Sequence, residues 1–145
     1  MSYLLDTNVL SEVRKSQGNP GVKAWFDSVR SDELYLSVLV LGEVRQGIER
    51  LRRRDEVQAA VYERWLEGLR AHYSDRILNV DAAIADVWGH INAVDSLPVI
   101  NGLLAATALV HELTLVTRNI RDFRRSGVTL LDPFKPSDES KGRTP

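Results

Sequence analysis

Short apolar runs alternate with amphipathic stretches along almost the whole chain. Ser2–Leu5 is mostly apolar and ends at Asp6; it is too short for a helix and suits a buried strand. Thr7–Arg14 then carries Val9, Leu10 and Val13 on one side, which predicts a helix. Asn19-Pro20 supplies a cap and a proline at the first helical position. Behind it Val22, Trp25, Phe26 and Val29 recur at helical spacing. Leu34–Leu36 reads as a second strand, and Ser37 caps a helix striped by Val40, Val44, Ile48 and Leu51. Asp55–His72, with Val57, Val61, Trp65, Leu66 and Leu69, predicts a long helix forming an antiparallel hairpin with the one before it. Ile77–Val80 is a third strand, and Asp81 caps a helix carrying Ile84, Val87, Trp88 and Ile91. Pro98 stops that helix from continuing and opens Ile100–His111. Leu113–Thr117 and Val128–Leu131 are the last two strands.

Strand and helix therefore alternate, and no two-residue hairpin signal joins consecutive strands. The pattern predicts an α/β fold: a single domain over residues 1–134, with a central parallel sheet of about five strands flanked by helices on both faces. In such sheets ligands collect beyond the carboxyl ends of the strands. Residues 135–145 hold no aliphatic core residue and are rich in charge, Pro, Ser and Gly; that tail is expected to be disordered unless a partner holds it.

Composition narrows the chemistry. A length of 145 residues with 43% apolar content fits one domain with one core. The net charge of −1 gives no global basic field, so any nucleic-acid contact has to be local. Arginine clusters at Arg50, Arg52, Arg53 and Arg54 and again at Arg118, Arg121, Arg124 and Arg125; two solvated loops are the plain reading, which weighs evenly against a functional one for the first cluster. The absence of cysteine excludes disulfides, thiolate metal sites and cysteine nucleophiles. No apolar run approaches the roughly 20 residues that span a bilayer, and the start lacks a basic-then-apolar signal. A cytoplasmic protein without membrane attachment is the resulting expectation.

Four side chains stand just past strand ends or in first helical turns: Asp6, Glu43, Asn101 and Asp122. Each has a plain structural reading. Asp6, with Thr7 and Asn8, makes an ordinary helix cap, and Asp122 sits in a polar loop where turn chemistry suffices. Glu43 lies roughly 60° from Val40 and about 40° from Gly47 on a helical wheel, at the rim of the apolar stripe. Capping does not require an amide at position 101. Gathered at one sheet edge, carboxylates suit a hard dication that takes oxygen ligands. Two like charges about 5 Å apart repel by roughly 3 kcal/mol at an effective dielectric near 20, so a cluster of acids implies a cation. His72, His90 and His111 share no motif and read as surface or packing residues.

Leu5-Asp6-Thr7-Asn8, Glu43 after the second strand, Asn101 before Ala105-Ala106-Thr107-Ala108, and Thr117-Arg118-Asn119-Ile120-Arg121-Asp122-Phe123 occur in that order. Over residues 2–134 the chain resembles the PIN-domain ribonucleases, most closely toxins of the VapC/FitB type from bacterial toxin–antitoxin pairs. That resemblance implies RNA hydrolysis driven by Mg²⁺ or Mn²⁺. It makes Asp6, Glu43 and Asp122 metal-binding catalytic acids, with Thr7, Thr117 and Asn119 as polar supports. Asn101 completes the set where the family has aspartate, a departure that predicts weak metal binding and reduced cleavage. Arg14, Arg118 and Arg121, nearest in sequence, become candidates for RNA contact. The resemblance also implies a cognate antitoxin, a homodimer, and DNA contact only through the antitoxin; exposed apolar residues on the Val38–Leu51 and Val57–Leu69 hairpin are candidate contacts.

Other chemistries fit less well. A phosphoacceptor domain needs a second acid beside Asp6, where Thr7 and Asn8 stand, and a nucleotide-binding module needs a glycine-rich phosphate loop. A non-catalytic module that binds antitoxin or RNA without turnover remains as the alternative.

Overall fold

The computed structural model describes residues 1–135, so the tail expected at 135–145 lies, apart from Lys135, outside the described residues. Five strands form one sheet in the order β3-β2-β1-β4-β5: β1 (Tyr3–Leu5), β2 (Leu34–Ser37), β3 (Ile77–Leu78), β4 (Thr114–Val116) and β5 (Leu130–Leu131). Every neighbouring pair is parallel, with Tyr3 facing Leu34 and Leu5 facing Val116 across the central strand. Leu4, Leu5, Leu34, Leu36, Leu115 and Val116 are at most 1% exposed, which is why these strands read as continuous apolar runs rather than alternating ones.

Chain order along the sheet reverses between β1 and β4. Right-handed crossovers then put the helices of the two halves on opposite faces. The crevice opens at that reversal, beyond the carboxyl ends of β1 and β4. Thr7–Arg14 (α1) leaves β1 directly, followed by Pro20–Ser28 (α2). Val38–Arg52 (α3) and Glu56–His72 (α4) form the expected hairpin, and Ala82–Val94 (α5) packs on Val99–Val110 (α6). Asp6, Asn19, Ser37, Asp55 and Asp81 each accept a backbone N–H at a helix start, satisfying donors that the helix cannot.

Two features depart from the sequence reading. The last three strands are shorter than expected, because pairing rather than apolarity sets their ends: Val80 runs off the sheet edge exposed, whereas Thr117 still donates its N–H to the Leu131 carbonyl at 3.0 Å. The loop after β4 is in part a helical turn, Ile120–Phe123 (α7), because Ile120 and Phe123 are one turn apart and both buried.

Charge pairing and close packing hold the hairpins. Arg45 donates to Glu49 at 3.0 Å and to both carboxylate oxygens of Glu63, while Arg52 reaches the same two glutamates. Both acids are consumed there. On the other side of the molecule, a Cβ on Gly102 would lie 2.8 Å from Asn92 Oδ1 and 2.9 Å from Trp88 Cδ1. Glycine thus lets the first turn of α6, which carries Asn101, close against α5. Among the described residues no helix is long and apolar enough to cross a membrane.

Candidate active site

Asp6 is where β1 becomes α1. Its backbone is extended and its Oδ1 accepts the N–H of Thr7 at 2.7 Å, so the capping role is real. The second carboxylate oxygen does something a cap does not require. Across the strand-order reversal, the Thr117 hydroxyl at the end of β4 donates to Asp6 Oδ2 at 2.7 Å. Thr117 is fully buried and Asp6 is only 7% exposed.

Glu43 occupies the second turn of α3, just past the end of β2, and is half-buried. The Thr7 hydroxyl donates to Glu43 Oε1 at 2.7 Å. One threonine therefore touches both acids, through its N–H on Asp6 and its O–H on Glu43. Burial pushes the Asp6 carboxyl above the usual carboxylate range. The hydrogen bonds from Thr117 and Thr7 pull it back, and the charge of Glu43 pushes it up again. Two acids share this corner, and among the described residues no cationic side chain pairs with either carboxylate.

Asn101 is half-buried in the first turn of α6. That helix leads back to the start of β4, which directs its first turn towards the carboxyl ends of the strands; among the described residues no hydrogen bond joins the Asn101 side chain to Asp6, Glu43 or Thr117. Asn119 and Asp122 follow β4 at this edge, both exposed. The Asn119 N–H donates to Thr117 Oγ1 at 3.1 Å and its carbonyl accepts the Asp122 N–H at 3.1 Å.

Asp6, Thr7, Glu43 and Thr117 thus form one hydrogen-bonded unit. Asp122 shares its edge without joining a ready-made acid cluster. Among the described residues, no three Asp, Glu, His or Cys side chains converge as a group able to hold a metal ion. The arginine candidates also divide. Arg14 is committed within the fold, donating to the Tyr62 hydroxyl at 2.6 Å with its guanidinium 4.1 Å over that ring. Arg118 stacks 4.8 Å over Phe134, and Arg121 is exposed on α7. His72 pairs with Ser31 Oγ at 2.9 Å, away from the acids.

Two residues were given no role at the site by the sequence reading. Asn8 Oδ1 accepts the Arg118 N–H at 3.3 Å, tying the start of α1 to the loop after β4. Asp132, 1% exposed, ends β5 as Asp6 ends β1, and accepts the Phe134 N–H at 2.9 Å. A buried acid immediately after a strand was the available signal for Asp132.

The donors fit a hard dication, though sparsely. All are oxygens: the carboxylates of Asp6 and Glu43, the threonine hydroxyls, and the carboxamide of Asn101 at the same edge. No thiolate or imidazole is present to favour zinc. Two anionic groups also leave a dication less well held than three would.

The Thr117 hydroxyl carries a testable part of this arrangement. Thr117→Val keeps the shape but leaves Asp6 Oδ2 without its donor in a buried site. Chemical denaturation at pH 7 is expected to show a loss of about 1–3 kcal/mol. Unchanged stability would mean that the hydroxyl does not hold the carboxylate.

The sequence matches the PIN domain family over residues 3–128. It is 32% identical to the toxin FitB of Neisseria gonorrhoeae over 136 residues, covering 90% of this chain and 97% of FitB. The VapC ribonuclease Y4jK of Sinorhizobium fredii is 31% identical over 140 residues, covering 92% and 99% of the two chains. In three dimensions the fold superimposes on the crystal structure of FitAcB from Neisseria gonorrhoeae with a TM-score of 0.85 at 31% identity, covering 92% of this chain and 99% of that one. The family match over residues 3–128 and the similarity over nearly the full length of both relatives agree: this chain belongs to the PIN-domain family, alongside the FitB and VapC toxins.

Proposed function

We propose that this chain is a ribonuclease toxin that hydrolyses RNA phosphodiesters with the help of Mg²⁺ or Mn²⁺. The observation that carries the reading is the Asp6–Thr7–Glu43–Thr117 unit at the strand-order reversal, where the carboxylates are held by hydroxyl and amide donors and, among the described residues, have no cationic partner. Relatives named as ribonucleases give the reaction class. When bound, a dication lowers the pKa of a coordinated water and stabilises charge on the leaving oxygen. The chain's own residues have simpler tasks. Asp6 and Glu43 supply anionic oxygens, Thr117 and Thr7 fix their orientation, and Asn101 and Asp122 flank them at the same edge.

Asn101 preserves the shape of an aspartate but not its charge, so this chain is a weak catalyst in our reading. That departure also favours the second reading, a PIN-like module that binds antitoxin or RNA without turnover. In either case the partners include a cognate antitoxin, a second copy of the chain, and DNA reached through the antitoxin, in a cytoplasmic setting. A FitAB complex bound to a DNA fragment supports this by analogy. Val57 and Val61, 79% and 39% exposed on α4, are the apolar residues offered to such partners.

The test is incubation of unpaired RNA with the chain carrying Asn101→Asp, with Mg²⁺ or with excess chelator. Cleavage that needs the metal supports the nuclease. RNA left intact under both conditions, by parent and variant alike, overturns it.

A further inference from the structure

From the acid pair a groove runs along α3 towards the turn between α3 and α4. Its volume is about 340 Å³, with Thr7 and Glu43 at one end, Arg54 at the other, and Gly47, Tyr62 and Trp65 among the residues between. We infer that this groove holds the unpaired RNA strand on one side of the cleaved bond, its phosphates meeting the arginines of the α3–α4 turn and its bases lying along the aromatic wall. The inference rests on the ribonuclease reading above and adds the path of the substrate.

Three observations favour a polyanion as occupant. The hairpin sorts its charges: Glu49 and Glu63 are both used by Arg45 and Arg52. Arg50, Arg53 and Arg54 remain exposed at the turn, with no ion pair recorded for them among the described residues. In a chain with net charge −1, three unneutralised guanidinium groups together make a local field. They stand about 10–16 Å from Glu43 at the helical rise of α3. That span is long enough for phosphates beside the scissile one to reach them while the acid end stays at the chemistry.

Shape is the second observation. One wall of the groove is formed by Tyr62 and Trp65, over the aliphatic side chains of Val44, Ile48 and Leu51. Aromatic side chains beside basic groups are how proteins hold single strands without reading sequence; here Arg54 lines the groove and Arg50 and Arg53 are exposed next to it in the chain. Tyr62 accepts a hydrogen bond from Arg14, and Trp65 meets it edge-on with ring centroids 6.3 Å apart, so both rings are held by contacts within the fold.

Gly47 is the third. A glycine inside a helix costs about 1 kcal/mol relative to alanine, and no packing constraint demands it, since a Cβ there would have nothing within 4 Å. Its effect is to keep the groove open. Gly47→Leu should therefore plug the groove in a chain that is at least as stable as the parent.

The experiment measures binding of a fluorescein-labelled unpaired RNA of about twelve nucleotides to the full chain in excess chelator, so that nothing is cleaved. The parent is compared with Gly47→Leu and with a triple variant carrying Arg50→Gln, Arg53→Gln and Arg54→Gln. All three are also melted, to establish that the fold persists. Each variant is expected to lose at least tenfold in affinity, and the triple variant to flatten the salt dependence by roughly two in the log–log slope. Parental affinity in either folded variant overturns the inference. So does a result in which RNA binding is kept and only antitoxin binding is lost, which would make the groove a peptide channel. Failure of the ribonuclease reading shows separately, as absence of metal-dependent cleavage by the Asn101→Asp form.

Discussion

Asn101→Asp is expected to raise metal-dependent RNA cleavage by about two orders of magnitude. The change adds one negative charge at the edge where Asp6 and Glu43 already lie. A unit charge about 5 Å from another contributes roughly 3 kcal/mol at an effective dielectric near 20. Each 1.36 kcal/mol of transition-state stabilisation is about tenfold in rate. A dication doubles the attraction, but desolvating the new carboxylate takes much of that back, so about a hundredfold is the reasonable scale. The same charge has the opposite effect without metal, because three carboxylates repel. The metal-free variant should melt lower than the parent, and excess Mg²⁺ should restore the difference. Initial rates on unpaired RNA at saturating Mg²⁺ make the measurement. Equal rates for the two forms would show that position 101 takes no part in the chemistry.

In that activated background, Asp6→Asn should abolish cleavage by about a thousandfold or more while making the metal-free protein more stable at neutral pH. The loss follows from the position of Asp6, which is the most buried acid of the set and the one gripped from both sides. The gain follows from linkage. Burial, reinforced by the charge of Glu43, raises the Asp6 carboxyl above its ordinary value in the folded chain. The native state then holds on to its proton over a pH range in which the unfolded chain has released it. Stability therefore falls as pH rises through the interval above the usual carboxylate range, and that loss is complete above the folded value. An amide has no such cost. It still accepts the Thr7 N–H, and the Thr117 hydroxyl can turn to accept from its NH₂ group. Each kcal/mol of relief moves the melting temperature of a chain this size by roughly 2–4 °C. The advantage should be full at pH 7 and vanish as pH drops below the unfolded value. A lower melting temperature for Asp6→Asn at pH 7 would mean that the carboxylate is stabilised, not strained, by its surroundings.

Local signals were legible in the sequence, and signals that depend on pairing were not. Caps at Asp6, Asn19, Ser37 and Asp81 need only a short side chain before an amphipathic run, and each stands where it was read; Asp55, read as the first helical residue, is instead the cap of α4. The lengths of β3, β4 and β5 depended on which neighbours offer a ladder partner, which apolarity does not encode. The α7 turn was hidden because Ile120 and Phe123 are separated by Arg121 and Asp122, giving the segment a polar look.

The site divides along the same line. That Asp6 and Glu43 come to one sheet edge could be argued from strand ends and a helical wheel. The Thr7 bridge between them, and the Thr117 bond from 111 residues away, exist only once β1 and β4 are adjacent. Asp122 follows β4 as its place in the sequence suggested, but its exposure on a short helical turn could not be read. Arg14 was read as a contact for RNA because of its nearness in sequence, and the fold instead turns it onto Tyr62.

Titration of Mn²⁺ into the metal-free chain, followed by the signal of the free ion, addresses the central claim most directly. The account predicts weak binding by the parent, binding at least tenfold tighter by Asn101→Asp, and loss of that gain when Asp6→Asn is added. Identical Mn²⁺ affinity in all three proteins would contradict it.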